Sequence, residues 1–166
     1  MGYRNKTYVI FDGDEDMWSY AYMRGWNKNE NMEFSFYDAH DLRPMSGTAS
    51  EEYVKRVLKQ RLENTKQAVV IIGEKTKNLF RFVRWEIEAC IEMGIPIVAV
   101  NLNGKREMDE DRCPPILRDV CAIHVPFKAK AIQRALDVFC DNFEWHKQQG
   151  WKAVVLKPEV YASLGL

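Results

Sequence analysis

AVVIIGEKTKNLFRFVRWEIEACIEMGIPIVAVNL, residues 68–102, decides the fold. Val69, Val70, Ile71 and Ile72 form an apolar run that stops at Gly73. Ile95, Ile97, Val98, Ala99 and Val100 form a second run, opened around Pro96 and closed by Asn101 and Gly104. Strands without polar alternation belong inside a parallel sheet covered on both faces. Between them Val83, Ile87, Cys90, Ile91 and Gly94 keep helical spacing, with Gly94 placed as a C-terminal glycine. The stretch is a βαβ unit with a right-handed crossover. Glu86 breaks its pattern, because a carboxylate lies beside the apolar stripe next to Trp85 and Ile87.

Outward from this unit, residues 7–12 (TYVIFD) give a first strand that runs into the acidic loop Asp12-Gly13-Asp14-Glu15-Asp16. Asp14 or Asp12 is expected to cap the helix that follows, and Gly25 to stop it. Phe34 and Phe36 alternate with polar residues and predict a half-exposed edge strand. Residues 38–47 (DAHDLRPMSG) read as a loop, and Thr48 to Glu51 as a capping box. The next helix turns Val54, Val57, Leu58 and Leu62 inward, and Lys55, Arg56, Lys59 and Arg61 mostly outward. Beyond the central unit come a charged loop (103–115), a short turn at Ile116–Leu117, a fifth strand around Ala122–Val125, a helix over 128–147, and an apolar tail.

Five strands alternating with helices predict an α/β, flavodoxin-like doubly wound parallel sheet of order 2-1-3-4-5. One domain is expected over 1–150, with a tail at 151–166 that packs on it or serves interaction. In this order ligands bind at the carboxyl ends of the first and third strands, where the loops 12–16 and 73–78 meet.

Zero net charge and a pI near 6.8 give no bulk attraction to nucleic acid or an anionic membrane. Cys90, Cys113, Cys121 and Cys140 lack metal-ligand spacing, and Cys90 and Cys140 fall on apolar helix faces. No secretory or membrane-spanning run is present, so a reducing cytoplasmic setting is expected. The sequence contains no Walker A, GxGxxG, HExxH or GxSxG motif. His124, within a strand, is expected to be a hydrogen-bonded structural imidazole.

Glu86 is the candidate for chemistry. It either pairs with Arg84 or Lys77, or it faces a crevice lined by Phe82, Trp85 and Trp18. A partly desolvated carboxylate stabilises developing positive charge and holds a ribose diol. Glycosidic cleavage usually takes two carboxylates. A leaving group that is already cationic, such as the nicotinamide of NAD, needs no general acid, so one glutamate suffices. Asn101, after the fourth strand, and Gly73, after the third, are candidate ligand contacts.

The segment VVIIGEKTKN…FVRWEIEACIEMGIPIVAVNLN resembles the TIR-like family that includes the ThsB proteins of Thoeris antiphage defence. The opening YVIFDGDED and the loop DAHDLRPMSG sit where that family has its first-strand loop and BB loop, the latter approximated by Asp41–Gly47. The resemblance spans roughly residues 5–145. It implies a flavodoxin-like fold and an NAD hydrolase or ADP-ribosyl cyclase that releases nicotinamide and ADP-ribose or a cyclic product. NAD is then a substrate, with no resident cofactor and no metal. The family's WxxxE pattern becomes FxxxE here, with Glu86 as the catalytic carboxylate and Phe82 in the aromatic position. Asp12, Gly13 and Asp14 would border the ribose or phosphate, with Phe82 and Trp85 nearby. The resemblance also implies a homo-oligomer and a downstream effector reached by a nucleotide signal. A non-catalytic TIR-like assembly module and a nucleoside deoxyribosyltransferase-like enzyme are the competing readings. A phosphoacceptor receiver is set aside, because Gly73-Glu74 stands where its aspartate is required.

Overall fold

The structure, a computed structural model, describes residues 6–30, 37–38 and 50–166. Strand β1 (Lys6–Ile10) leads into helix α1 (Met17–Lys28), and β2 is Tyr37–Asp38. Helix α2 (Glu51–Leu62) precedes β3 (Gln67–Ile72), α3 (Phe82–Glu92) and β4 (Ile97–Asn101). Then come β5 (Ala122–Pro126), α4 (Ala129–Arg134), α5 (Phe143–Gln148), β6 (Val154–Val155) and α6 (Pro158–Ser163). The sheet order is β2-β1-β3-β4-β5-β6 and every pairing is parallel. The expected order is present, extended by a strand the tail supplies. Two residues are too short a run for periodicity to have marked β6.

Alternation along the strands splits the core in two. Val9, Phe11, Val69, Ile71, Val98 and Val100 face α1 and the C-terminal helices. Tyr8, Ile10, Val70, Ile72, Ile97 and Ala99 face α3 and the end of α2. Every residue of β3 and β4 is buried, as an inner parallel strand demands. Gly94 ends α3 with φ of +67°, a backbone setting that favours glycine.

Several local expectations are corrected. Asp16, not Asp14 or Asp12, occupies the N-cap position of α1, and its side chain makes no cap bond. Asp12 Oδ1 instead accepts from the backbone N–H groups of Asp14 (3.0 Å) and Glu15 (3.3 Å), closing the loop before the helix begins. Gly25 does not stop α1, which runs on to Lys28 because Trp26 packs against Phe127, ring centroids 4.9 Å apart. Ser50 caps α2 by accepting from the Tyr53 N–H at 3.2 Å, so the cap lies two residues beyond the expected Thr48. The span 128–147 is not one regular helix. A wider π turn (Ala135–Phe139) and a tight turn (Cys140–Asn142) separate α4 from α5. His124 is fully buried in β5, yet neither ring nitrogen has a hydrogen-bond partner among the described residues. Burial pushes its pKa down to about 4, so it sits there neutral. The expected strand at Phe34 and Phe36, the loop Asp41–Gly47 and Thr48 lie outside the described residues.

Candidate functional site

The carboxyl ends of β1 and β3 meet as the strand order requires. Gly73 ends β3 directly against the carboxylate of Asp16. A methyl group added at Gly73 would come within 2.7 Å of Asp16 Oδ1 and closer still to Oδ2. The Gly73 N–H donates to Thr76 Oγ1 at 2.9 Å, which fixes the turn, and Lys75 Nζ reaches Glu15 at 2.8 Å. Burial pushes the Asp16 pKa up, and the neighbouring charge of Asp12 adds to the rise. A cleft of about 210 Å³ opens here, lined by Asp16, Trp18, Gly73, Leu102 and Arg112 among others. Gly73→Ala is therefore expected to cost about 1–3 kcal/mol, because Asp16 is buried and its short side chain has little room to retreat. Denaturant unfolding of G73A, D16A and the double variant checks this. The pair should be strongly non-additive, and additive effects would disprove the contact.

Glu86 lies on the other face of the sheet. It does not pair with Arg84 or Lys77. Arg84 is exposed, and Lys77 bonds the Asp111 carbonyl at 2.7 Å and its carboxylate at 3.2 Å. Instead the Tyr8 hydroxyl, from β1, donates to the Glu86 carboxylate, and Arg61 near the end of α2 adds a positive charge. Glu86 Oε2 is enclosed and has no hydrogen-bond partner among the described residues. Desolvation raises the Glu86 pKa from 4.5 to about 7, against the opposing pull of Tyr8 and Arg61. This is an acid poised to change charge near neutral pH, a property that concentrates at functional sites. Arg61 was expected to point mostly to solvent, but it is only partly exposed. Lys55 is likewise only partly exposed, joined to Glu51 and Glu88, while Arg56 and Lys59 are exposed as expected, with Lys59 paired to Glu92.

The other sequence candidates are dispersed. Asp12 is buried and committed to its own loop, while Gly13 and Asp14 are exposed in it. Trp85 is buried with Val54 and Leu58 between α2 and α3, and Phe82 packs edge-on against it at 5.8 Å. Trp18 meets Phe127 at 5.7 Å in the α1 layer, on the opposite face from α3, so it does not share a crevice with Glu86. Asn101 Nδ2 donates to the carbonyls of Lys105 (3.0 Å) and Glu107 (2.8 Å), clamping the loop after β4. A second cavity of about 290 Å³ lies beside Val83, Ile87 and Pro115. Glu86 lines neither cleft. Among the described residues no His, Cys, Asp or Glu cluster could hold a metal, and no helix is long and apolar enough to cross a membrane.

Tyr8 and Arg61 are the partners that sequence reasoning missed. The one available signal was a phenol at Tyr8, between the polar start of β1 (Lys6, Thr7) and its aliphatic end (Val9, Ile10). Such a group needs a hydrogen-bond partner once buried.

A family model described as "Thoeris protein ThsB, TIR-like domain" matches residues 8–107, well over half of the 166-residue chain. The match begins at Tyr8, includes Glu86 and both strands that flank α3, and ends in the loop held by Asn101.

Proposed function

The chain belongs to the Thoeris ThsB TIR-like family of antiphage signalling modules, and from that premise we propose that it cleaves NAD with Glu86 as the catalytic carboxylate. The observation that carries this reading is the Glu86 carboxylate, held by Tyr8 and with an enclosed Oε2 that has no partner among the described residues. In the reaction the bond between the ribose C1′ and the nicotinamide nitrogen breaks, and both bonding electrons leave with the pyridine. Neutral nicotinamide departs without needing a proton. The positive charge left on the ribose is met by the ionised carboxylate, whose field is strong where water is excluded. Attack by water, which gives up one proton to solvent, yields ADP-ribose, and attack from within the molecule gives a cyclic product. The product then acts as a nucleotide signal to an effector, and self-association of the protein completes the active assembly.

Incubation of the purified protein with NAD, followed by chromatography for nicotinamide, tests the proposal. Release that survives Glu86→Gln would remove Glu86 from the reaction. Assembly into oligomers without nicotinamide release, even in extract from infected cells, would favour the non-catalytic module instead.

A further inference from the structure

Tyr8 is 1% exposed, and its hydroxyl lies in the layer between the sheet and the α2–α3 pair. A phenol buried this deeply costs free energy unless it finds an acceptor, and the acceptor here is the Glu86 carboxylate. Because Oε2 has no partner among the described residues, the bond falls on Oε1. The groups facing this carboxylate come from three elements: Tyr8 on β1, Arg61 on α2, and Cys90 one turn further along α3. The Cys90 thiol is driven up by burial and by the charge of Glu86, so it stays neutral and offers no competing charge. A phenol donates more strongly to a carboxylate than to a carboxylic acid, so Tyr8 favours the ionised form.

We infer that Tyr8 is a positioning residue for Glu86: its buried phenol clamps one oxygen of the carboxylate and favours its charged form. The effect on nicotinamide release rests on the function proposed above, whereas the clamp itself does not. The arrangement accounts for a polar tip in a strand whose neighbours Val9 and Ile10 are fully buried and apolar. It also gives the charge of Arg61 a purpose, because Arg61 lowers the cost of ionising an acid that desolvation would otherwise keep neutral.

The test is Tyr8→Phe, which keeps the ring and removes the hydroxyl. Carboxyl-¹³C glutamate labelling reports the ionisation of Glu86 by NMR, with the resonance assigned by its absence in Glu86→Gln. The wild-type midpoint is expected near 7. Loss of the bond should raise it by about half a unit or more, the scale of one charge-assisted hydrogen bond. The acid limb of the nicotinamide-release profile should move with it, so Y8F loses activity several-fold near neutrality and recovers at roughly two pH units above the midpoint. Unchanged midpoints overturn the inference, and so does a uniform loss of activity at every pH without a shift. Should Y8F fail to fold, replacement of the tyrosines by 3-fluorotyrosine makes the phenol a stronger donor, and the midpoint should then fall. A midpoint that stays put under this replacement also overturns the inference. If wild-type protein never releases nicotinamide, the NMR titration still decides the clamp, and the silence counts against the proposed reaction alone.

Discussion

Glu86→Gln is expected to silence NAD cleavage and, at the same time, to make the protein more stable above neutral pH. The folded protein holds this carboxyl at a pKa of about 7, whereas 4.5 is its ordinary value. An acid whose folded pKa is raised binds its proton more tightly in the native state. Native stability is then undiminished below about pH 4.5, falls as pH rises through the interval, and reaches its full loss above about pH 7. The ceiling is about 3.5 kcal/mol, from roughly 1.4 kcal/mol per pKa unit. Glutamine carries no charge and still accepts from Tyr8, though it leaves an amide where Oε2 was unpartnered. The net gain should therefore be about 1–3 kcal/mol, or roughly 3–10 °C in Tm for a chain of this size. Activity should fall by about 10²-fold or more, the usual effect of removing a group aimed at developing charge. Melting wild type and E86Q side by side at pH 4 and pH 8 checks the stability arm. Equal melting temperatures at pH 8 would mean that the acid is hydrated and not enclosed.

The second large effect falls on packing. Trp85→Ala should destabilise the protein by about 3–5 kcal/mol, since it removes a buried indole wedged between two helices. Trp85 is 8% exposed and joins Val54 and Leu58 of α2 to α3, with Phe82 at its edge and the Arg81 guanidinium 5.4 Å from the ring centroid. The ion pairs that also link these helices, Lys55–Glu88 and Lys59–Glu92, are solvent-exposed enough to contribute little. The tryptophan therefore carries the α2–α3 contact, and with it the placement of Arg61 and Glu86 on facing helices. Trp85→Phe should recover most of the loss. Denaturant midpoints measure both variants. A Trp85→Ala protein of wild-type stability but weakened NAD binding would make this residue a ligand contact.

The parallel sheet was legible because its inner strands are unbroken apolar runs, and α3 because its stripe keeps helical period. Glu86 stood out for a related reason, as a carboxylate where the pattern called for burial. The partners of Glu86 were not legible. Tyr8 and Arg61 lie on other elements far away in the chain, and only the folded register brings a strand, a helix end and α3 together. The corrections at the helix starts share one cause. Asp12, Asp14, Asp16, Thr48 and Ser50 are all plausible caps by residue type, and loop geometry chooses among them. His124 misled because polar groups in strands are normally bonded, and here burial without a partner among the described residues is met by keeping the ring neutral. Trp18 and Trp85 were grouped as one aromatic wall, but sequence proximity to a loop does not tell which side of a sheet a ring will take.

The two residues of β6 shield the outer backbone of β5 along Ile123 and His124. Proteolysis or trimming ahead of Lys152 would strip this cover and present an open, apolar ladder to any neighbouring molecule. Such ladders recruit strands from other copies, so the clipped protein should precipitate even though the half that holds Glu86 is intact. A fusion partner appended at this end must leave Val154 and Val155 room to lie down.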